Sequence, residues 1–161
     1  MTNGHLPYRR TRYTLNLFAL NNQIEIESNH MVTRQSELIR VLSNLAEDLP
    51  NPLWVALVDN DGLVVASVPP NPPAEPEAFS AMTAASVMMG ERVLNEIAGG
   101  NLRYTSVAGS DRQLLTVALS RERLLSIGLG PEVPPHDTFG PLSRRVPELL
   151  KALKRRFGSE E

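Results

Sequence analysis

Cysteine is absent from this 161-residue sequence, and its positive and negative charges nearly balance. Without cysteine the chain forms no disulfide, thiolate nucleophile or cysteine-ligated zinc site, which favours a cytoplasmic protein. The formal net charge of -2 does not indicate the basic face that nucleic-acid binding requires, so no nucleic-acid partner is expected. The longest purely apolar run, at residues 53–58, is too short to span a bilayer, so no membrane insertion is expected.

Signatures of enzyme chemistry are also missing. No serine occupies a nucleophile elbow, and neither G-x-x-x-x-G-K-[ST] nor G-x-G-x-x-G occurs, so the chain is not a recognisable nucleotide binder. Asp59 and Asp61 superficially resemble part of a calcium loop whose other ligands are lacking. The histidines are far apart, at His5, His30 and His136. We therefore predict no catalytic, cofactor-binding or metal-binding residues and no cofactor.

The first thirty residues differ from the rest of the sequence. They show a weak alternation of apolar and acidic residues at 24–27 and no helical period. We interpret Met31 as the biological start, or residues 1–30 as a disordered or non-native extension, and a short extra strand is the alternative. The folded domain is expected at 31–157, followed by a tail at 158–161.

The remaining sequence alternates between periodic segments and turns, which predicts eight elements. These are a helix at 33–48, strands at 53–58 and 63–68, a helix at 76–98, strands at 102–107, 113–119 and 123–129, and a final amphipathic helix that is kinked or begins near Pro147. The order α-β-β-α-β-β-β-α predicts an α+β fold with one five-stranded antiparallel sheet and helices on both faces. The first and last helices are expected to share one face.

The middle helix, at 76–98, is apolar on most of its circumference, whereas a surface helix shows a single apolar stripe. Packing on the sheet accounts for one side, so the other side needs a second surface, which we interpret as another copy of the chain. Small residues would allow two such helices to approach closely: Ala81, Ala84, Ala85, Ser86 and Gly90. The alternative is a central core helix of a monomer.

Two further features leave alternatives open. Tyr104 is either a core aromatic or an interface anchor. Basic residues cluster near the end of the chain, at Arg144, Arg145, Lys151, Lys154, Arg155 and Arg156. This cluster is interpreted as a solvated helix face with favourable charge at the helix C-terminus, and a contact for an acidic partner or membrane surface is the alternative.

Three local patterns in the predicted order resemble the Roadblock (dynein light chain, MglB-like) family. They are the hairpin VALVDNDGLVVAS, the Ala/Met-rich helix ending in GERVLNEIAGG, and the paired strands QLLTVALSRERLLSIGLG before a terminal amphipathic helix. The resemblance extends from about Glu37 to Leu153. It implies a non-enzymatic protein that forms homodimers, in which the strand after the middle helix pairs with its copy while the middle helices pack together.

The resemblance also implies a function. Bacterial members of this family commonly act with a Ras-like small GTPase, and one stimulates GTP hydrolysis without an arginine finger, by reshaping loops of the GTPase itself. The leading hypothesis is therefore a homodimeric cytoplasmic regulator of such a GTPase, with a GTPase-activating protein as its more specific form. A dimeric scaffold that assembles or localises partners and a module that senses a small ligand are the alternatives.

Mapped onto this sequence, the resemblance and the middle-helix argument give seven candidate residues for the dimer interface. They are Met82, Ala85, Ser86, Met89, Leu102, Tyr104 and Ser106. A bulky charged residue at Ala85 or Ser86 is expected to weaken the dimer. No residue is assigned to partner binding.

Overall fold

The computed structural model describes residues 33–154. The predictions for the extension at 1–30 and the tail at 158–161 lie outside these residues. The described part contains three helices, five strands and one 3-10 turn. In chain order these are α1 (Arg34–Asp48), β1 (Trp54–Asp59), β2 (Val64–Val68), α2 (Pro76–Glu96), β3 (Tyr104–Ala108), β4 (Gln113–Ala118), β5 (Arg123–Leu129), the 3-10 turn (Pro135–Thr138) and α3 (Phe139–Lys154).

The five strands form one antiparallel sheet in the order β2-β1-β5-β4-β3. This arrangement confirms the predicted fold class and element order. β1 and β5 lie at the centre of the sheet, and nearly all their residues are buried. Gly62 closes the β1–β2 turn with a φ of 81°, a backbone conformation that glycine adopts without steric cost. β2 and β3 are the two edge strands.

One face of the sheet is covered by α1 and α3, as predicted. Their apolar stripes and the inward residues of the strands form the larger core, which includes Leu38, Leu42, Leu45, Leu57, Leu115, Leu125, Ile127 and Leu149. The final helix does not begin at Pro147, because α3 is continuous from Phe139 to Lys154. The core side of α3 carries Leu142, Leu149 and Ala152, and the exposed Pro147 lies on another side.

Ion pairs link α1 to α3 along their outer surface. The Arg145 Nε atom donates to Asp48 Oδ2 at 2.6 Å, and an Arg40 nitrogen lies 2.9 Å from Glu148 Oε1. The hydrogen bond from Arg145 is the main reason why the pKa of Asp48 lies below its usual value. These pairs are partly exposed, so they orient the two helices more than they stabilise them.

The other face of the sheet carries α2 alone. A smaller core lies beneath its N-terminal half, where Trp54 of β1 stacks on Phe79 with ring centroids 5.0 Å apart. Trp54 lies across from Gly128 of β5 in the sheet register. The indole occupies the space that a side chain at position 128 would need, because a Cβ atom there would overlap its six-membered ring. The packing of Trp54 therefore requires glycine at this position.

Replacing Gly128 with alanine is expected to destabilise the protein by about 1–3 kcal/mol, the usual cost of overpacking a core. The measurement is urea unfolding of both proteins by circular dichroism. Gly140→Ala is the matched control, because a Cβ atom at position 140 meets only Arg144 at 3.8 Å. Alanine is the better helix former, so this control is expected to be neutral or stabilising. Equal losses in both variants would contradict the assigned role of Gly128.

Candidate interaction surface

Helix α2 crosses the sheet strand by strand. Phe79 lies over Trp54 of β1, and Thr83 lies over Ser126 of β5. One turn further along, Ser86 contacts both Thr116 of β4 and Thr105 of β3. The helix therefore reaches the β3 edge of the sheet with its C-terminal half.

Hydroxyl groups form the polar part of the contact between α2 and the sheet. The Thr83 and Ser126 hydroxyls are 3.0 Å apart, and Trp54 Nε1 donates to the same Ser126 oxygen at 3.2 Å. Further along, Thr105 donates to Ser86 Oγ at 3.1 Å, and the Ser86 and Thr116 hydroxyls are 3.3 Å apart. Within residues 33–154, no buried side-chain nitrogen or oxygen lacks a hydrogen-bond partner. The free-energy cost of removing these hydroxyls from water is therefore offset by their hydrogen bonds.

Phe79 and Val87 pack on the smaller core, but other large apolar side chains on and directly after α2 point away from the sheet. Four residues of the helix and its C-cap residue Ile97 are between 51% and 70% exposed in the single chain: Met82, Met88, Met89, Val93 and Ile97. Met82, Met89, Val93 and Ile97 are seven and then four residues apart, so they form one stripe along the helix. An exposed apolar stripe of this length is typical of a surface that another protein covers.

The small residues of α2 lie on different sides of the helix. Ala85 is exposed on the outer side. Ser86 and Gly90 instead face the sheet. A Cβ atom at Gly90 would lie only 2.8 Å from Thr105 Cγ2 and 3.0 Å from Leu102 Cδ1. Gly90 therefore allows α2 to approach β3 within the same chain.

The last turns of α2 extend past this close contact. From Glu91 to Glu96 every residue except Leu94 is exposed, although the helix is regular there. The helix therefore overhangs the sheet at its β3 edge. The overhang carries Val93, and Ile97 follows directly after it.

Strand β3 is the other part of this surface. Four of its five residues are exposed, including Val107 at 59% and Tyr104 at 46%. Its neighbour on one side is β4, and no described strand pairs with its other side. Because an unpaired strand edge presents free N–H and C=O groups, it is a template for pairing with another chain.

An open groove of about 530 Å³ lies between the α2 overhang and β3. Its lining is mostly apolar and includes Met89, Val93, Leu94, Leu102, Thr105 and Val107. We call the groove, the exposed stripe of α2 (Met82, Met89, Val93 and Ile97) and the β3 edge the α2–β3 surface.

The seven candidate interface residues all lie on or beside α2 and β3. Met89, Leu102 and Ser86 line the same groove, although the Ser86 hydroxyl is engaged within the chain. Tyr104 also borders the groove, but its ring contacts Phe139 on the other face of the sheet. Two other candidates, Met82 and Ala85, lie further back on α2, and both are exposed.

Tyr104 and Ser106 are placed on the opposite face of the sheet. They pair in register with Val117 and Leu115, and Leu115 belongs to the larger core. The Tyr104 ring also lies 5.0 Å from that of Phe139 on α3. Tyr104 thus combines contact with its own chain with a half-exposed surface.

Three residues of the surface were missed by the sequence reasoning: Val93, Ile97 and Val107. The spacing of four residues from Met89 to Val93 and Ile97 was a usable signal. The hydroxyl contact was also missed, since serine and threonine in strands and helices more often lie on solvated surfaces.

Residues 33–154 carry few groups that would support other functions. They contain no cluster of three or more His, Asp or Glu side chains that could hold a metal ion. None of the helices in this range is both long and apolar enough to cross a membrane.

Known structures share this fold at low sequence identity. Myxococcus xanthus MglB is 16% identical, with a TM-score of 0.64 over 76% of this chain and 94% of that one. A Roadblock/LC7 domain from Streptomyces avermitilis is 18% identical, with a TM-score of 0.65 over 73% and 98%. The gliding protein MglB from Thermus thermophilus is 13% identical, with a TM-score of 0.65 over 76% and 92%.

At the level of sequence, no curated protein is a significant match. The model of the Roadblock/LC7 domain family does match, over residues 38–128. The matched segment begins in α1 and ends in β5, and it includes the whole α2–β3 surface. Since it spans more than half of the sequence, the chain belongs to the Roadblock/LC7 family.

Proposed function

We propose that this protein is a homodimeric, non-enzymatic regulator of a small Ras-like GTPase. The observation that carries the proposal is the α2–β3 surface, where an apolar helix stripe and an unpaired strand edge lie side by side in a Roadblock/LC7 domain. A second copy of the chain would cover both at once, since a two-fold axis beside β3 brings the same two features of each copy together.

The GTPase part of the proposal is supported by the family and by its MglB-like neighbours in structure. GTP hydrolysis accelerates when groups around the γ-phosphate are held in place. A partner that binds one conformation of the GTPase loops more tightly than another achieves this without supplying a chemical group. A dimer that offers a rigid surface is suited to that role.

A dimeric adaptor is the second candidate. The same α2–β3 surface supports it, because a dimer that forms through this surface can bind a partner without changing the rate of GTP hydrolysis. A ligand-sensing module is less well supported, since the main clefts of the described residues are open grooves rather than enclosed polar cavities. Adaptor and regulator differ in one measurable property, the rate of GTP hydrolysis by the bound partner.

The dimer is tested by a charge placed on the α2 stripe. The wild-type chain is expected to show twice its 17.8 kDa mass in light scattering. Met89→Glu is expected to raise the dissociation constant at least about tenfold, because burying an unpaired carboxylate costs more than about 1.4 kcal/mol. The control is Leu63→Glu, since Leu63 is equally exposed (64% against 63%) but lies after the β1–β2 turn, far from β3.

Comparing the two variants distinguishes a specific contact at the α2–β3 surface from a general effect of the added charge. Loss of the dimer in Leu63→Glu alone, or an unchanged dimer in Met89→Glu with retained folding, would refute this placement. Ala85→Glu is a second probe on the same helix side. Ser86 is unsuitable, because its side chain hydrogen-bonds within the chain and a charge there would disturb the fold itself.

The absence of an arginine finger is tested at Arg92 on α2 and Arg144 on α3, both exposed. We expect Arg92→Ala and Arg144→Ala to stimulate single-turnover GTP hydrolysis by a Ras-like GTPase of the same genome within about twofold of wild type. Removal of a true arginine finger would lower the stimulated rate by about 10³–10⁵. Met89→Glu serves as the dimer-deficient comparison, and it is expected to stimulate less.

The same assay distinguishes the two candidate functions. A dimer that binds the GTPase and leaves its rate unchanged would replace the regulator with the adaptor. A loss of stimulation in either arginine variant, with dimer mass and GTPase binding retained, would show that the side chain acts in hydrolysis.

A further inference from the structure

We infer that Ser106 lies on the two-fold axis of the homodimer, and that the groove between α2 and β3 is completed by Val107 of the second copy. This inference rests on the proposed dimer and adds its register, which decides which residues of the two chains meet. It follows from the hydrogen-bond pattern of β3, the length of the strand and the sizes of its side chains.

The backbone groups of β3 that point outward can be identified from its pairing with β4. Ala118 N–H donates to Arg103 C=O at 3.1 Å, and Gly109 N–H donates to Arg112 C=O at 2.9 Å. Hydrogen-bonded pairs alternate along an antiparallel ladder, so residues 103, 105, 107 and 109 direct their backbone groups toward β4. Tyr104, Ser106 and Ala108 therefore direct theirs toward the free edge.

Only one register satisfies all three outward residues. With the axis at Ser106, this serine pairs with its own copy, and Tyr104 of each chain pairs with Ala108 of the other. The two strands then share their whole five-residue length and exchange about six backbone hydrogen bonds. An axis at Thr105 or Val107 pairs only two outward residues within the strand and leaves part of each edge uncovered.

Side-chain sizes agree with this register. A residue on the axis meets its own copy, and serine is small enough to do so without a clash. Tyr104 then lies across from the small Ala108, so that its ring, already against Phe139, extends over the other chain. Cross-strand pairs of a large and a small residue fill space without overlap.

On the α2 face the same register brings the two grooves to the axis. Val107 lies across from Thr105 of the other chain, at the closer, non-hydrogen-bonded spacing of about 4.5 Å between Cα atoms. Thr105 forms part of the groove floor, beneath the α2 overhang that carries Val93. The exposed Val107 side chain of each copy thus enters the groove of the other. Each groove is incomplete in the single chain.

The absence of cysteine makes this register directly measurable, because any introduced cysteine is the only thiol. The single variants Thr105→Cys, Ser106→Cys and Val107→Cys and the double variant Thr105→Cys/Val107→Cys would be oxidised with copper phenanthroline. Covalent dimers are then counted on non-reducing gels. Ser110→Cys, in the turn beyond β3, is the matched control, and light scattering of each reduced variant establishes its mass.

The expected pattern follows from disulfide geometry. Ser106→Cys crosslinks, since about 5.5 Å separates the two Cα atoms of a hydrogen-bonded pair. Thr105→Cys and Val107→Cys alone do not, because each is about 7–8 Å from its own copy along the diagonal. The double variant crosslinks through position 105 of one chain and 107 of the other. Ser110→Cys stays monomeric on the gel.

Each other result overturns a defined part of the inference. Crosslinking of Thr105→Cys or Val107→Cys alone in a protein of dimer mass would move the axis to that residue. A dimer that crosslinks at none of these positions would exclude a two-fold axis at residues 105–107 and would refute the inference. A wild-type chain of monomer mass would refute the proposed dimer itself, and the register with it.

Discussion

Hydroxyl contacts, together with the smaller core around Trp54 and Phe79, hold α2 against the sheet, and the rest of the surface depends on this packing. Thr83 bonds to Ser126, and Ser86 bonds to Thr105 and Thr116, so the inner side of the helix is satisfied by short polar contacts. Hydrogen bonds are directional, and these therefore fix the rotation of α2 about its own axis. The rotation in turn leaves the methionine side chains and Val93 outside.

That orientation explains how an apolar helix and an edge strand come to lie in one surface. Gly90 permits α2 to cross close above β3, and the last turns of the helix then overhang the edge of the sheet. The apolar stripe and the unpaired backbone groups are thus neighbours rather than on separate faces. Alone, each would favour nonspecific association, because exposed apolar surface and free strand edges both attract other chains. A partner that covers both features at once must match an apolar stripe and a strand edge together, which is a more specific condition than either alone.

Much of the fold could be predicted from the sequence, but the role of individual side chains in α2 could not. The order of helices and strands, the Asp59–Gly62 turn and the two faces of the sheet follow from hydropathy periods and turn residues. Met82, Ala85 and Met89 lie on the outer side of α2, where a second surface could reach them. Ser86 and Gly90 were grouped with them because their small size suits helix contact and strand contact equally well, and composition does not distinguish the two.

The sequence by itself determined the α+β class, the number of strands, the helix with more apolar surface than one sheet can cover, and the family. These properties are local, since they depend on the spacing of residue types along short segments. Only the tertiary structure decided which side of α2 faces the sheet, and that Val93, Ile97 and Val107 share a surface. Residues such as Ser86 and Thr116 are thirty positions apart, and their hydrogen bond exists only when β4 lies beneath α2. Contacts of this kind depend on the packing of the whole sheet, which no short segment encodes.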